Sequence, residues 1–367
     1  MNQLDSEPKP LRIDDGETID PQFSDSEALR LPEDAFECGL RGLTIGPCEE
    51  LVDISTVSTL RSLERLQIMD CPALQQIDGV ERLHGLLRLT VEKCPKILGL
   101  EPVANLDILA ELVIRENRCL RSLEGVQGPL SLIELDIEAA TALEDTGALN
   151  ETSEIAFLKL RKCPKVRDVE FLEAHSTLHA LDLSFTSSIE DFSPIEHLRE
   201  LNVLQLVEQP ALRSLRHIRR SPTIQFLDVG YCPNLVDITD LSCCPGLMHL
   251  HMNGCTGVSD FSVIERLEDL HAFSIADNPH IENVDFLADD PWLESIRIDN
   301  CCNIRNLDAL ATLPRLRELN LRYLPSLKNV GFIEAIPALE NLRCFQDGEL
   351  TERIRAQCPR VKVAAAE

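Results

Sequence analysis

The chain has 367 residues, of which 35 are Lys or Arg and 62 are Asp or Glu, so its formal net charge is −27 at pH 7. This charge opposes general binding to nucleic-acid phosphates or to anionic membrane surfaces, because both need a basic protein surface. Apolar residues make up 44% of the chain but aromatic residues only 4%, so we expect an aliphatic, repetitive core rather than disorder along the whole chain.

Residues 1–39 form a polar, acidic segment. They contain eleven Asp or Glu residues, and no basic stretch precedes an apolar one, so we expect neither a secretory signal nor an Arg-rich transit peptide. No run of 18 apolar residues occurs in the sequence, and we expect no membrane insertion. These features favour a cytoplasmic location, with the nucleus as the second possibility, and both compartments keep thiols reduced.

A repeat of 23 residues begins at Leu40 and continues to residue 361 without an insertion or deletion. We number its positions from the start residue, which is position 0. Position 3 is Leu, Ile or Phe in every turn, and position 11 is always aliphatic. The alternation L-x-L at positions 3 to 5 predicts a short strand with one buried face. Each turn can bury its leucines only against its neighbours, so the stacked turns would share one core. The fourteen starts are Leu40, Leu63, Leu86, Leu109, Leu132, Ile155, Leu178, Leu201, Ile224, Leu247, Leu270, Leu293, Leu316 and Leu339.

The two ends of the repeat region are predicted to carry caps, because an exposed solenoid end shows bare core. The sequence Ser24-Asp25-Ser26-Glu27 fits a capping box at the start of a short helix. Leu350, Ile354 and Cys358 have the spacing of one helix face and would cover the last turn. We therefore assign residues 1–20 to a disordered acidic leader, 21–39 to an N-terminal cap, 40–350 to the fourteen repeats, 351–361 to a C-terminal cap and 362–367 to a flexible tail.

The pattern L-x-x-L-x-L-x-x-(C/N)-x-x-L resembles the leucine-rich repeat and covers residues 40–361. In its length and its Cys or Asn position it is similar to the intracellular type of this repeat. The resemblance implies an α/β solenoid shaped like a curved horseshoe, with a parallel concave sheet and short 3₁₀ or helical segments on the convex side. A Pro follows the Cys position in half of the turns and would end the strand there.

Half of the 14 cysteines share one repeat position, position 8, with Asn117 and Asn278. In leucine-rich repeats this side chain points inward and satisfies backbone groups, so we interpret these cysteines as structural thiols. No C-x-x-C occurs, and neither a metal site nor a disulfide framework is expected. The cysteines at position 8 are Cys48, Cys71, Cys94, Cys163, Cys232, Cys255 and Cys301. The thiols predicted to be exposed are Cys38, Cys243, Cys244 and Cys302.

Asp228, His251 and Ser274 occupy position 4 of three consecutive turns. They imitate the order of an Asp-His-Ser triad, but an open sheet offers no oxyanion hole and no water-excluding pocket. His249 could join Asp228 and His251 in a metal site, although we favour a polar interaction surface. The sequence has no G-x-x-x-x-G-K-[ST], G-x-G-x-x-G or H-E-x-x-H motif. We therefore expect no cofactor, no metal and no enzymatic activity.

Positions 2, 4 and 6 face outward in the predicted strands. Position 2 of the sixth to tenth turns holds Phe157, Ala180, Val203, Phe226 and His249, which would form an apolar stripe on the concave surface. Exposed apolar clusters with aromatic residues mark protein interfaces, so we predict that a protein partner binds here. The predicted contact residues are Phe157, Asp182, Phe185, Val203, Gln205, Val207, Phe226, Asp228, Tyr231, His249 and His251.

The leading hypothesis for function is a non-catalytic scaffold or adaptor that binds a protein on its concave face. The negative charge favours a basic partner and opposes nucleic acid. An alternative is a regulatory subunit of an enzyme, such as a protein phosphatase or a ubiquitin ligase, because similar repeats occur in such subunits. The Cys-Pro sequence departs from the Asn of phosphatase regulators, and the 39 residues before the first turn leave little room for a ligase-docking module. A remote alternative is a hydrolase that uses Asp228, His251 and Ser274.

Overall fold

A computed structural model of the chain describes residues 18–19, 39–152, 154–344, 348–358 and 363–364. Within them, the strands form one parallel sheet in which each strand pairs with the strands before and after it in the sequence. The predicted capping box and most of the leader and the tail lie outside the described residues. The strands are β1 (Thr18–Ile19), β2 (Gly42–Ile45), β3 (Arg65–Met69), β4 (Arg88–Glu92), β5 (Glu111–Arg115), β6 (Glu134–Glu138), β7 (Phe157–Arg161), β8 (Ala180–Asp182), β9 (Val203–Gln205), β10 (Phe226–Asp228), β11 (His249–His251), β12 (Ala272–Ala276), β13 (Ser295–Asp299), β14 (Glu318–Arg322), β15 (Asn341–Arg343) and β16 (Val363–Ala364).

The strands β2 to β15 follow the 23-residue period. Leu66 of β3 pairs with Leu89 of β4, and Ser295 of β13 pairs with Glu318 of β14. Equivalent repeat positions are therefore lateral neighbours along this whole stretch. This register confirms the predicted parallel sheet and the leucine-rich-repeat solenoid.

Short 3₁₀-helices form the return side of most turns. The aliphatic residue at position 17, such as Val57 or Leu172, lies in the helix and is buried. These helices have three to five residues, close to the length that 3₁₀ geometry tolerates. In the fourth turn the equivalent Val126 is also buried, but it lies in a hydrogen-bonded turn. The 3₁₀-helices are Ser55–Thr59, Val80–Arg82, Glu101–Asn105, Gly147–Glu151, Glu170–Ala174, Ser193–His197, Arg216–Ile218, Thr239–Cys243, Ser262–Arg266, Asp285–Leu287, Asp308–Thr312 and Gly331–Ala335.

The core lies between the sheet and the 3₁₀-helices. In the eighth turn, Leu201, Leu204, Leu206 and Leu212 are at most 2% exposed. Each such aliphatic side chain contributes roughly 1.5–3 kcal/mol through its burial. Because every turn repeats this set, aliphatic ladders run through the whole solenoid.

Position 7, which lies one to three residues after the strand end, adopts a left-handed conformation in most turns. The φ angle of Lys162 is 53° and that of Tyr231 is 56°, values that non-glycine residues adopt rarely. This conformation turns the chain out of the strand and into the return segment. The non-glycine residues with positive φ at position 7 are Asp70, Lys93, Glu116, Ala139, Lys162, Phe185, Glu208, Tyr231, Asp277, Asn300 and Tyr323.

Position 8 carries side-chain donors that bond backbone carbonyls, in some turns a carbonyl of the turn before and in others one of the same turn. The Asn117 amide donates to the Val91 carbonyl at 2.8 Å and accepts from the Cys94 N–H at 2.9 Å. The Cys232 thiol donates to the equivalent carbonyl, that of Leu206, at 3.1 Å. The residues that bond this carbonyl are Asn117, Thr186, Gln209, Cys232 and Cys255. The cysteines at position 8 are therefore structural donors, as the sequence pattern indicated.

The cysteines differ in burial according to their repeat positions. All thirteen cysteines among the described residues are free, and burial raises the pKa of Cys232 and Cys255 to about 12. The expectation that Cys244 is exposed was wrong, because its side chain packs inside the turn and donates to the Ser221 carbonyl at 3.6 Å. Cys302 is exposed and Cys243 half-buried, whereas Cys38 lies outside the described residues.

Both edges of the sheet carry one additional short strand. Thr18 pairs with Gly42, and Val363 pairs with Leu342. We expected no secondary structure at Thr18 or Val363. An edge strand presents unpaired N–H and C=O groups, however, and these hydrogen-bond an extended neighbouring segment.

A helix covers the end of the repeat region. Helix α1 spans Gly348–Gln357, and Leu350, Ile354 and Cys358 are fully buried. The Cys358 thiol donates to the Val330 carbonyl at 3.2 Å. These contacts place an apolar face on the last turns, while the predicted domain boundaries stay a prediction.

Candidate partner-binding groove

A groove crosses strands β7 to β11 on the solvent-facing, concave side of the sheet. Its volume is about 480 Å³. Its walls and floor come mainly from two adjacent repeat positions, 1 and 2. The lining residues are Phe157, His179, Ala180, Asn202, Val203, Gln205, Gln225, Phe226, Met248 and His249.

An alternation of large and small side chains shapes this groove. Phe157 of β7 and Phe226 of β10 are three strands apart, and Ala180 and Val203 lie between them at the same repeat position. Adjacent strands are roughly 4.8 Å apart. Two consecutive small side chains therefore leave a depression between the two phenyl rings.

Imidazole rings flank both phenylalanines. The ring centroids of Phe157 and His179 are 6.4 Å apart, and those of Phe226 and His249 are 5.9 Å apart. His251 meets the Phe226 ring edge-on at 5.2 Å. Burial lowers the pKa of His249, which favours its neutral form. The surface around Phe226 is therefore mainly apolar and aromatic.

One carboxylate stands at the rim of the groove. Asp228 follows Phe226 by two residues on β10, so both side chains lie on the same face of the sheet. Its Oδ1 accepts the Gly230 N–H at 2.9 Å, and its Oδ2 lies 3.5 Å from His251 Nδ1. The side chain is 22% exposed, so solvent or a partner can reach it.

Part of the predicted contact set lines the groove. The predicted residues that line it are Phe157, Val203, Gln205, Phe226 and His249. Asp228 and His251 contact one another at its rim. Asp182 is different, because it is only 5% exposed and its Oδ2 lies 3.7 Å from Arg161 Nε. Burial raises the pKa of Asp182.

Three predicted contact residues lie away from the groove. Phe185 and Tyr231 are exposed at the left-handed position 7, which carries their side chains past the strand ends. Tyr231 lines a separate polar cavity of about 540 Å³, together with Arg297 and Tyr323. Val207 is half-buried and does not line the groove. Phe185 and Tyr231 thus lie just beyond the strand ends, and the role of these three residues as partner contacts stays a prediction.

Four lining residues were not predicted: His179, Asn202, Gln225 and Met248. They share position 1, where the Asn202 N–H donates to the His179 carbonyl at 2.8 Å. Positions 1 and 2 both face outward between the buried positions 0 and 3, so strict alternation fails at the start of the strand. The signal available in the sequence was the absence of Leu and Ile at position 1 in these turns.

The candidate catalytic residues do not form a triad. The Ser274 hydroxyl donates to Asn253 Oδ1 at 2.8 Å rather than to His251, whereas a serine nucleophile must reach its base directly. Ser274 is also 7% exposed. Within the described part of the chain, no group of three or more His, Cys, Asp or Glu side chains is arranged to hold a metal ion.

The neighbouring strands β4 to β7 carry ion pairs between strands. Arg115 lies 2.6 Å from Asp136, and Arg161 lies 2.9 Å from Glu138. Burial raises the pKa of Glu134, which is 3.7 Å from a lysine of the next strand. The charged side chains on this part of the surface thus pair largely with one another.

The repeat register, the parallel sheet and the inward ladder at position 8 define the fold of this chain as a leucine-rich-repeat solenoid. Over 84% of its length it is similar to an internalin (InlF) of Listeria monocytogenes, with a TM-score of 0.60, 19% identity and 81% of that chain covered. Over 95% of its length it is similar to a leucine-rich-repeat protein of Leptospira interrogans, with a TM-score of 0.53, 16% identity and 95% of that chain covered. No protein-family model and no curated protein matches the chain. At such identities the similarity supports the fold alone.

Among the described residues, no helix is both long enough and apolar enough to cross a bilayer.

Proposed function

We propose that the chain is a non-catalytic scaffold or adaptor that binds a protein partner in the groove across β7 to β11. The observation that carries this proposal is the apolar depression between Phe157 and Phe226, which is open to solvent. Aromatic residues in such a depression are the side chains that dominate protein interfaces. A solenoid also presents its concave sheet as one extended binding surface.

We infer that the partner is basic and that the complex forms in the cytoplasm or the nucleus. The charge of −27 supports the first inference, because it attracts cationic surfaces. The free thiols support the second, because a reducing compartment keeps such thiols free. If the partner is a phosphatase catalytic chain or a ubiquitin-ligase component, the scaffold acts as a regulatory subunit of that enzyme.

The test compares Val203→Arg with Val236→Arg. Val203 lies on the groove floor, so an arginine there fills the depression and introduces a charge. Val236 is 60% exposed outside the groove and gives a matched control with the same substitution. We expect proteins that the immobilised wild-type chain and Val236→Arg retain from a cell extract to be lost with Val203→Arg. Capture of the same proteins by all three folded chains would contradict the groove as binding site.

A further inference from the structure

The strands that form most of the groove differ in charge from their neighbours. The five strands β8 to β12 contain no Lys or Arg, whereas β7 contains Lys159 and Arg161 and β13 contains Arg297. In β13 the carboxylate of Asp299 lies 2.7 Å from Arg297 of the same strand. On both sides of the groove, Lys or Arg side chains are therefore present to pair with the carboxylates of the same surface.

Asp228 lies inside this stretch without lysine or arginine. Among the described residues, the basic side chain within 4 Å of its carboxylate is the imidazole of His251, whose Nδ1 lies 3.5 Å from Asp228 Oδ2. Asp182, the other carboxylate of the stretch, is reached by Arg161 from β7 and is nearly buried. Asp228 is therefore the partly exposed carboxylate beside the groove that no Lys or Arg of the described chain neutralises.

Phe226 and Asp228 together form a surface that fits a cationic side chain. They lie two residues apart on one strand, so their side chains are about 6.6 Å apart along it. The methylene stem of Arg or Lys can cover the phenyl ring while its charged head reaches the carboxylate. A guanidinium or ammonium over an aromatic face gains cation–π attraction as well.

The dimensions of the groove fit an extended segment. It crosses β7 to β11, which corresponds to about 19 Å at roughly 4.8 Å per strand, or about six residues of extended chain. The amides of Gln205 and Gln225 line it and offer donors and acceptors for a peptide backbone. An aliphatic or aromatic side chain fits the depression above Ala180 and Val203.

We propose that the partner presents an extended peptide segment with an apolar side chain in the groove and a neighbouring Arg or Lys paired with Asp228. This inference rests on the proposed function, because it assigns the chemistry of the partner at the same groove. It commits to a basic, apolar peptide segment rather than to a neutral or acidic one.

The first experiment selects ligands from a displayed library of random 12-residue peptides. Selection on the wild-type chain, with counter-selection on Val203→Arg, isolates peptides that need the groove. We expect the enriched peptides to combine a large apolar residue with Arg or Lys within the next few positions. Enrichment of groove-dependent peptides without a basic residue would overturn the inference while leaving the proposed function standing.

The second experiment is a double-mutant cycle on one synthetic peptide from this selection. Asp228→Asn keeps the acceptor for the Gly230 N–H and removes the charge, and we expect it to weaken binding about ten-fold. Replacing the basic residue of the peptide by Gln should weaken binding similarly, and both changes together should cost little more than one. Asp168→Asn, at an exposed carboxylate outside the groove, is the matched control and should leave the affinity unchanged.

The outcomes distinguish a failure of the peptide inference from a failure of the proposed function. Additive losses in the cycle would show that Asp228 and the basic residue do not interact, and would overturn the inference. If no peptide distinguishes the wild-type chain from Val203→Arg, the groove itself is not a binding site and the proposed function fails with it. Thermal unfolding of each variant shows whether it keeps the wild-type fold.

Discussion

Among single residues, those at position 8 differ in the strength of the hydrogen bonds that they make to the backbone. Asn117 bonds two buried groups, the Val91 carbonyl and the Cys94 N–H. The Cys232 thiol lies 3.1 Å from the Leu206 carbonyl and 3.7 Å from the Gly230 carbonyl, but a thiol is a weak donor. The amide therefore holds its turn more firmly than the thiol does.

This difference predicts unequal effects of truncation. We expect Asn117→Ala to lower the free energy of unfolding by about 2–4 kcal/mol, because two buried backbone groups lose their partner. Cys232→Ala should cost about 1 kcal/mol, since only weak hydrogen bonds of a thiol are lost. Urea unfolding of the two variants measures the difference. Equal losses would show that the hydrogen bonds at position 8 do not set the stability of the turn.

A buried histidine predicts a pH dependence of stability. His175 is fully buried, with Nδ1 at 2.8 Å from the Phe171 carbonyl and Nε2 at 3.0 Å from the Thr152 hydroxyl. Burial lowers the pKa of His175 in the folded chain, whereas a histidine in the unfolded chain has a pKa of about 6.5. Below that pH the unfolded state binds more protons than the folded state. The free energy of unfolding should therefore be highest above about pH 6.5 and decrease as the pH falls further.

The variant His175→Gln tests this prediction. Glutamine cannot take up a proton in this range, so the decrease in unfolding free energy between pH 7.5 and 5.5 should be smaller than in the wild-type chain. His217 and His249, whose pKa values burial also lowers, should account for the decrease that remains. Chemical denaturation at several pH values measures both curves. Parallel curves would remove His175 as a source of the pH dependence.

At the level of the elements, a left-handed residue follows the strand in most turns. Ala139 adopts a φ of 57° directly after β6. An L-residue pays roughly 1–2 kcal/mol for this conformation, whereas glycine adopts it readily. We expect Ala139→Gly to raise the midpoint of thermal unfolding slightly and Ala139→Val to lower it. Circular dichroism on heating provides the comparison, and a lower midpoint for Ala139→Gly would contradict the conformational argument.

The strand register could be predicted from the sequence, but the full outline of the groove could not. A slip of one residue would turn a core leucine such as Leu204 toward solvent, so the buried positions fix the register. The alternation of inward and outward positions along the strand then correctly placed Phe157, Val203 and Phe226 on the outer face of the sheet. It missed Met248, because two consecutive residues face outward where the chain enters the strand. It could not predict the backbone at Tyr231, because the left-handed turn after the strand has no signature in hydrophobic alternation.

In the whole molecule, contacts between turns are strictly sequential. Among the described residues, strands pair only with their neighbours in the chain, and β9 therefore pairs with β8 and β10. Stability in such a stack is close to a sum of turn energies and nearest-neighbour interfaces. Damage in one turn should consequently remain local instead of unfolding the complete chain.

Leu204→Ala tests this locality at the centre of the solenoid. Leu204 is fully buried in β9, and its truncation should cost about 2–5 kcal/mol through lost burial and the cavity that remains. We expect native-state hydrogen exchange to accelerate in β8 to β10, while amides around Leu66 in β3 and Leu319 in β14 keep their protection. Ala211→Gly, at a partly buried residue of the same turn, should change exchange much less. Equal loss of protection in all strands would mean that the solenoid unfolds as one cooperative unit, and that the groove cannot be altered without weakening the distant turns.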